Sequence, residues 1–187
     1  ERTPAFLIAH VYLERFDRND HNSSANSTHR TTTPYANGWR GAGIRVAMLE
    51  NNGIDPACPH LSVSGWFSAA APNPDNHIHG TSGCVASRLA TRRGASPDVS
   101  LFSANAASYG DANVTAAADW CATSNMDATN MSFGGDYNGV QQYLDRYFDY
   151  QARFYWDSYV ASAGNGGGDV GSPGTAWNCI TVGSFND

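Results

Sequence analysis

The sequence predicts an α/β domain with a mostly parallel central sheet flanked by helices, and three observations carry that expectation. From Ile44 onward, short apolar runs rich in β-formers are bounded by Gly, Asn and Asp. Between them stand Ala-rich or aromatic segments whose apolar residues recur at helical spacing. Strands separated by helices pair in parallel through right-handed crossovers, because a tight turn can only reach an antiparallel neighbour.

Residues 5–16 are apolar (Phe6, Leu7, Ile8, Val11, Tyr12, Leu13, Phe16), with a spacing that does not choose between helix and strand. Residues 17–33 are polar, rich in Asn, Ser and Thr, and read as loop. Residues 1–33 are therefore expected to form an N-terminal extension or arm, and 34–187 the folded domain. Strands are expected near 44–49, 98–105, 128–132, 158–162 and 179–183, and helices near 80–90, 112–124 and 138–155. Val114, Ala117, Ala118 and Cys121 fall on one helical face, as do Leu144, Tyr147 and Phe148, so each helix can cover a sheet face. In such sheets ligands bind outside the carboxyl ends of the strands.

With 187 residues and 41% hydrophobic content, the chain can bury one real core. A net charge of -6 offers no basic footprint for nucleic acid, and no apolar run approaches the length that spans a bilayer. All 11 basic residues are arginine, which excludes Schiff-base chemistry, a serine-lysine dyad and a lysine-bearing phosphate loop. Cys58, Cys84, Cys121 and Cys179 lack C-x-x-C spacing and so do not suggest a zinc or thioredoxin-type centre. Two readings remain: disulfides in an oxidising compartment, or Cys84 and Cys121, each inside an expected helix, as buried apolar residues.

Three polar clusters close apolar runs in a fixed order. Glu50 ends Val46-Ala47-Met48-Leu49, His79 is followed by Gly80-Thr81, and Asn165 follows Ser162-Ala163-Gly164. An acid that orients an imidazole, an imidazole that acts as base and an amide that holds an oxyanion are parts that acyl transfer needs.

The surrounding motifs resemble those of the subtilisin-like serine peptidases, the subtilases. Gly41 to Glu50 resembles that family's first buried strand ending in its acid, and Gly53-Ile54-Asp55 the turn that follows. His79-Gly80-Thr81 is similar to the histidine motif, Gly94 to Leu101 to the loop into the next strand, and Asn130 to Gly135 to the substrate-binding segment. Ala163-Gly164-Asn165 is similar to the oxyanion motif, and Ile180 to Ser184 to the strand after it. The resemblance implies a subtilisin-like three-layer fold, a secreted or extracytoplasmic endopeptidase acting on proteins or peptides, and Glu50, His79 and Asn165 as catalytic residues. It also implies that Ser132, Phe133 and Gly134, with Ser162, Ala163 and Gly164, line the substrate cleft. No cofactor is required, and a structural calcium is compatible with the polar stretches Asp17 to Asn26 and Asp111 to Asn113, although these show no ordered ligand pattern and read first as solvated loops.

Two departures stand out. The family carries aspartate where this chain has Glu50, whose extra methylene must be absorbed by the site. No Gly-Thr-Ser-x-Ala/Ser-x-Pro segment occurs up to Asp187, so the nucleophilic serine is expected from a segment or second chain beyond it. The alternative is a catalytically inactive, subtilase-like peptide-binding or scaffolding module. Glu50 is expected within hydrogen-bond reach of a ring nitrogen of His79, or bridged to it by one water, at the carboxyl edge of the sheet.

Three competing motifs are set aside. His77 and His79 have no third ligand at metal-binding spacing. Ser82 imitates a nucleophile but lies in the helix that follows His79. Gly166 to Gly171 satisfies G-x-G-x-x-G, yet Ser172-Pro173-Gly174 stands where a dinucleotide-binding helix would open.

Overall fold

The computed structural model describes residues 30–68 and 76–184. Among the described residues, six strands form one sheet: β1 (Arg45–Glu50), β2 (Val63–Phe67), β3 (Ser100–Asn105), β4 (Ala128–Met131), β5 (Ser158–Ser162) and β6 (Ile180–Val182). The helices are α1 (Thr32–Ala36), α2 (Asn76–Ala86), α3 (Asp111–Thr123) and α4 (Tyr143–Tyr155). The sheet order is β2-β3-β1-β4-β5-β6 with every pair parallel, as the βα alternation predicts. The chain leaves β1 toward one edge and crosses back to β4, which makes the carboxyl ends of β1, β3 and β4 the crevice where ligands collect.

Strand alternation divides the core. Ala47 and Leu49 face α3 and α4, where Val114, Ala118 and Phe148 pack on them, whereas Val46 and Met48 face α2 with Ile78 and Val85. Both faces of β1 are covered, so five of its six residues are buried. Phe148 is fully buried, worth roughly 1.5–3 kcal/mol of apolar transfer.

Three boundaries differ from the sequence reading. β2 was not expected: Val63-Ser64-Gly65-Trp66-Phe67 is an edge strand with no residue fully buried, so it lacks the apolar run that marks the others. α4 begins at Tyr143, not near 138, because Asn138 and Gly139 take left-handed φ values of 53° and 72°. Its start is then fixed by a capping box, with the Gln142 backbone N–H donating to Asp145 Oδ2 at 2.6 Å. α2 begins at Asn76 and ends at Ala86, displaced from the expected 80–90. Its last carbonyls are satisfied by the loop after it, Ala95 N donating to Cys84 O and Ser96 N to Val85 O. Gly94 lies so close that a Cβ there would meet Val85 and Ala86 backbone at 2.6 Å.

Cys58, Cys84, Cys121 and Cys179 are free thiols, Cys121 fully buried among the apolar residues beneath α3. Just before β5, Asp157 is only 4% exposed and accepts the Thr129 hydroxyl at 2.7 Å, while its Oδ1 is buried without a hydrogen-bond partner. Burial pushes this carboxyl up to about 7, against the opposing effect of the Thr129 hydrogen bond. The apolar stretch 5–16 and the Asp17 to Asn26 cluster lie outside the described residues.

Candidate active site

Period-two alternation along β1 puts residue 50 on the same face as Val46 and Met48, the face that α2 covers. The Glu50 carboxylate therefore points toward α2 and is 1% exposed. In α2, Ile78, Thr81, Ser82, Val85 and Ala86 are buried at i, i+3, i+4, i+7, i+8 spacing, and that stripe seats the helix on the sheet. His77 and His79 flank Ile78, about 100° to either side of the stripe, so they look in different directions.

His77 takes the side of Glu50. Its Nδ1 lies 3.5 Å from Glu50 Oε2, and its side chain is 37% exposed. On the other flank, His79 Nε2 accepts the Asp55 backbone N–H at 2.9 Å, tying the helix to the turn after β1. The imidazole paired with the acid through Nδ1 is thus that of His77, while the expected partner, His79, is engaged through Nε2 with the turn. Sequence reasoning weighed His77 only as a metal ligand. The signal that could have found it is the helix register: once α2 starts at Asn76, the buried stripe from Ile78 to Val85 decides which histidine faces β1.

The remaining expected residues lie at neighbouring strand ends. Ser132, Phe133 and Gly134 leave β4; Ser132 and Phe133 are buried and Gly134 is exposed. Asn130 Nδ2 donates to Ser132 Oγ at 2.8 Å, and the Ser162 hydroxyl donates to Phe133 O at 3.1 Å, locking the exit of β4 to that of β5. Gly135 and Ser172 exchange backbone hydrogen bonds, both 2.9 Å, which pins the next residues to the loop after Asn165. Ala163 N donates to Val182 O, Gly164 has φ of 101° with open space where a Cβ would stand, and Asn165 is exposed. A left-handed glycine there lets another backbone approach the amide of Asn165.

One further group touches the acid. Asn105 is the register partner of Glu50, and Ala106 N donates to Glu50 O at 2.8 Å, so the chain leaving β3 stays beside the carboxylate. Tyr109 then donates its hydroxyl to Glu50 Oε2 at 3.2 Å. No motif marked it in the sequence.

Comparison with known proteins places the fold. The model of the subtilase family matches residues 14–187. The chain belongs to the subtilase family. It is 30% identical over 171 residues to subtilisin amylosacchariticus of Bacillus subtilis subsp. amylosacchariticus and to subtilisin E of Bacillus subtilis strain 168, covering 81% of this chain and 43% of each relative. Less than half the length of those relatives is therefore spanned. Among solved structures, the chain resembles MycP1 with its N-terminal propeptide removed, at a TM-score of 0.65 and 22% identity over 87% of this chain and 62% of that one. It also resembles a mutant protease domain of PatA, at a TM-score of 0.62 and 21% identity over 79% and 59%. These likenesses establish a subtilisin-like α/β fold.

Within this subtilase, the motifs set aside earlier find structural places. Ser82 is fully buried in α2, beyond reach of a substrate. No helix opens after Gly171. Asp111 lies in the first turn of α3 and Asn113 Nδ2 donates to Ser108 Oγ at 2.7 Å, so this polar stretch is organised as a helix start. Among the described residues, no helix is long and apolar enough to cross a membrane.

Proposed function

We propose that this subtilase is a serine endopeptidase whose acid and base are Glu50 and His77, with Asn165 as oxyanion donor and the nucleophilic serine contributed by sequence outside these 187 residues. The observation that carries the reading is the contact of His77 Nδ1 with the buried Glu50 carboxylate at 3.5 Å, at the carboxyl edge of the sheet. A carboxylate on Nδ1 fixes the tautomer in which Nε2 is the proton-accepting nitrogen, and it stabilises the imidazolium formed when a hydroxyl proton moves there. The proton then passes to the leaving amine. Asn165 would donate to the developing oxyanion, and the exits of β4 and β5, Ser132 to Gly134 and Ser162 to Gly164, would hold substrate backbone by strand addition.

A second reading keeps His79 as base. Its support is the Gly80-Thr81 that follows it, the pair that resembles the family motif. Against it stands the engagement of His79 Nε2, the nitrogen a base must present, with Asp55 N–H.

The spanned length, 43% of the subtilisin relatives, leaves room for the nucleophile beyond Asp187, either in the same polypeptide or in a second chain. Secretion follows the same reading. The test is reaction of the complete protein with a fluorophosphonate probe, alongside hydrolysis of a denatured protein substrate with and without a zinc chelator. Covalent labelling of one serine with chelator-insensitive hydrolysis is the expected result. Neither labelling nor hydrolysis, with peptide binding retained, would establish the inactive binding module instead.

A further inference from the structure

We propose that Tyr109 is a positioning residue for the acid of this site: its hydroxyl fixes the Glu50 carboxylate so that Oε2 faces the imidazole of His77. The inference rests on the Glu50–His77 reading above and extends it to a residue on a third strand exit.

Glutamate has one more rotatable bond than aspartate, so a carboxylate at the end of β1 has more rotamers to lose before one oxygen is held at the imidazole. Burial alone does not select among them. In this site Oε2 receives both Tyr109 Oη, at 3.2 Å, and His77 Nδ1, at 3.5 Å, while Oε1 is buried without a hydrogen-bond partner. Both contacts fall on one oxygen, and a rotation that carried Oε2 away from His77 would break the tyrosine bond as well.

Tyr109 is itself held on two sides. The turn after β3 is set by Asn105 Oδ1 accepting Ala107 N at 2.8 Å and by the left-handed φ of 56° at Ala107, which folds the chain back over the end of β1. Its ring then packs on Phe133, with centroids 4.9 Å apart and planes tilted by 31°. Phe133 is the middle residue of the β4 exit whose carbonyl accepts Ser162 Oγ. The ring therefore spans from the cleft wall to the acid. At 47% exposure it still presents an edge to solvent, where a bound peptide would lie.

A double-substitution cycle in the complete peptidase tests this. Tyr109→Phe removes the hydroxyl and keeps the ring; Glu50→Asp withdraws the carboxylate by one methylene, about 1.5 Å, and takes it out of reach of the hydroxyl. With Glu50 present, Tyr109→Phe should lower kcat on the order of tenfold with KM within about twofold, the scale of losing one hydrogen bond to a charged group. In the Glu50→Asp background the same change should cost less than about twofold. Equal losses in both backgrounds, or none in either, would overturn the proposal. The ring signals of His77 followed by NMR read the positioning without reference to turnover. Tyr109→Phe should displace the His77 ring resonances while those of His60 stay in place, and unmoved His77 resonances overturn the proposal even in an active enzyme. A chain that cleaves no peptide yet shows the His77 shift would retain Tyr109 in this role and refute the peptidase reading alone.

Discussion

Replacing Asp157 with Asn should remove a pH dependence of stability that the fold builds in at the amino end of β5. The carboxyl is 4% exposed and accepts the Thr129 hydroxyl at 2.7 Å on one of its oxygens. Burial raises it from the usual 3.8 to about 7. A group whose folded pKa exceeds its unfolded pKa binds its proton more tightly in the folded state, so its contribution is complete below about 4 and is lost as pH rises through about 7. Each pH unit in that window changes stability by about 1.4 kcal/mol. Between pH 4.5 and 7 the wild type should therefore lose about 3 kcal/mol relative to Asp157→Asn, whose amide does not titrate. Comparing the difference, not the absolute stability, cancels the titration of every other carboxylate. Urea denaturation followed by tryptophan fluorescence at pH 4.5, 6, 7 and 8 measures it. A difference between the two proteins that stays constant within about 1 kcal/mol over this range would refute the reasoning, since it would mean that Asp157 is as easily ionised folded as unfolded.

Two other substitutions address separate links in the account. Gly94→Ala should destabilise by about 1–3 kcal/mol, because its Cβ would meet backbone atoms of Val85 and Ala86 at 2.6 Å where nothing flexible can yield; thermal unfolding detects this, and an unchanged midpoint would mean that the end of α2 is not packed as described. Asn165→Ala should lower kcat on the order of a hundredfold or more with little change in KM, the scale established for a subtilisin that loses such a donor, and an equal rise in KM would show the amide to be a ground-state contact only.

The layered parallel sheet was legible because its central strands are buried on both faces and read as uninterrupted apolar runs, Val46 to Leu49 and Val160-Ala161 being the plainest. β2 was not, since an edge strand that holds Ser64 and Gly65 and has no fully buried residue leaves too little apolar signature. Glu50 was legible through its place at the end of the family-like first strand, since a carboxylate that closes an apolar run is by itself more often a turn residue. The histidine was harder. His79 has the family-like triplet, but which imidazole meets Glu50 depends on where α2 starts and on the stripe from Ile78 to Ala86, and Asn73, Asp75 and Asn76 are all cap-forming residue types, so local sequence does not choose one start. Tyr109 was illegible for a related reason: its contact with Glu50 is created by the register Glu50 to Asn105 and by the turn at Ala107, long-range facts that no local spacing encodes.

The comparison of His77→Ala with His79→Ala tests the central claim most directly. Turnover of a peptide substrate by the complete protein would be measured for both variants, with folding checked by thermal unfolding. Because the imidazole paired with Glu50 is that of His77, its removal should lower kcat/KM by a factor of about a thousand or more, the scale of losing a general base. His79→Ala forfeits a hydrogen bond to Asp55 N and should cost no more than about tenfold, chiefly through a looser turn after β1. The opposite ranking, a dead His79→Ala and a working His77→Ala, would contradict the account and return the base to the histidine that the sequence motif marks.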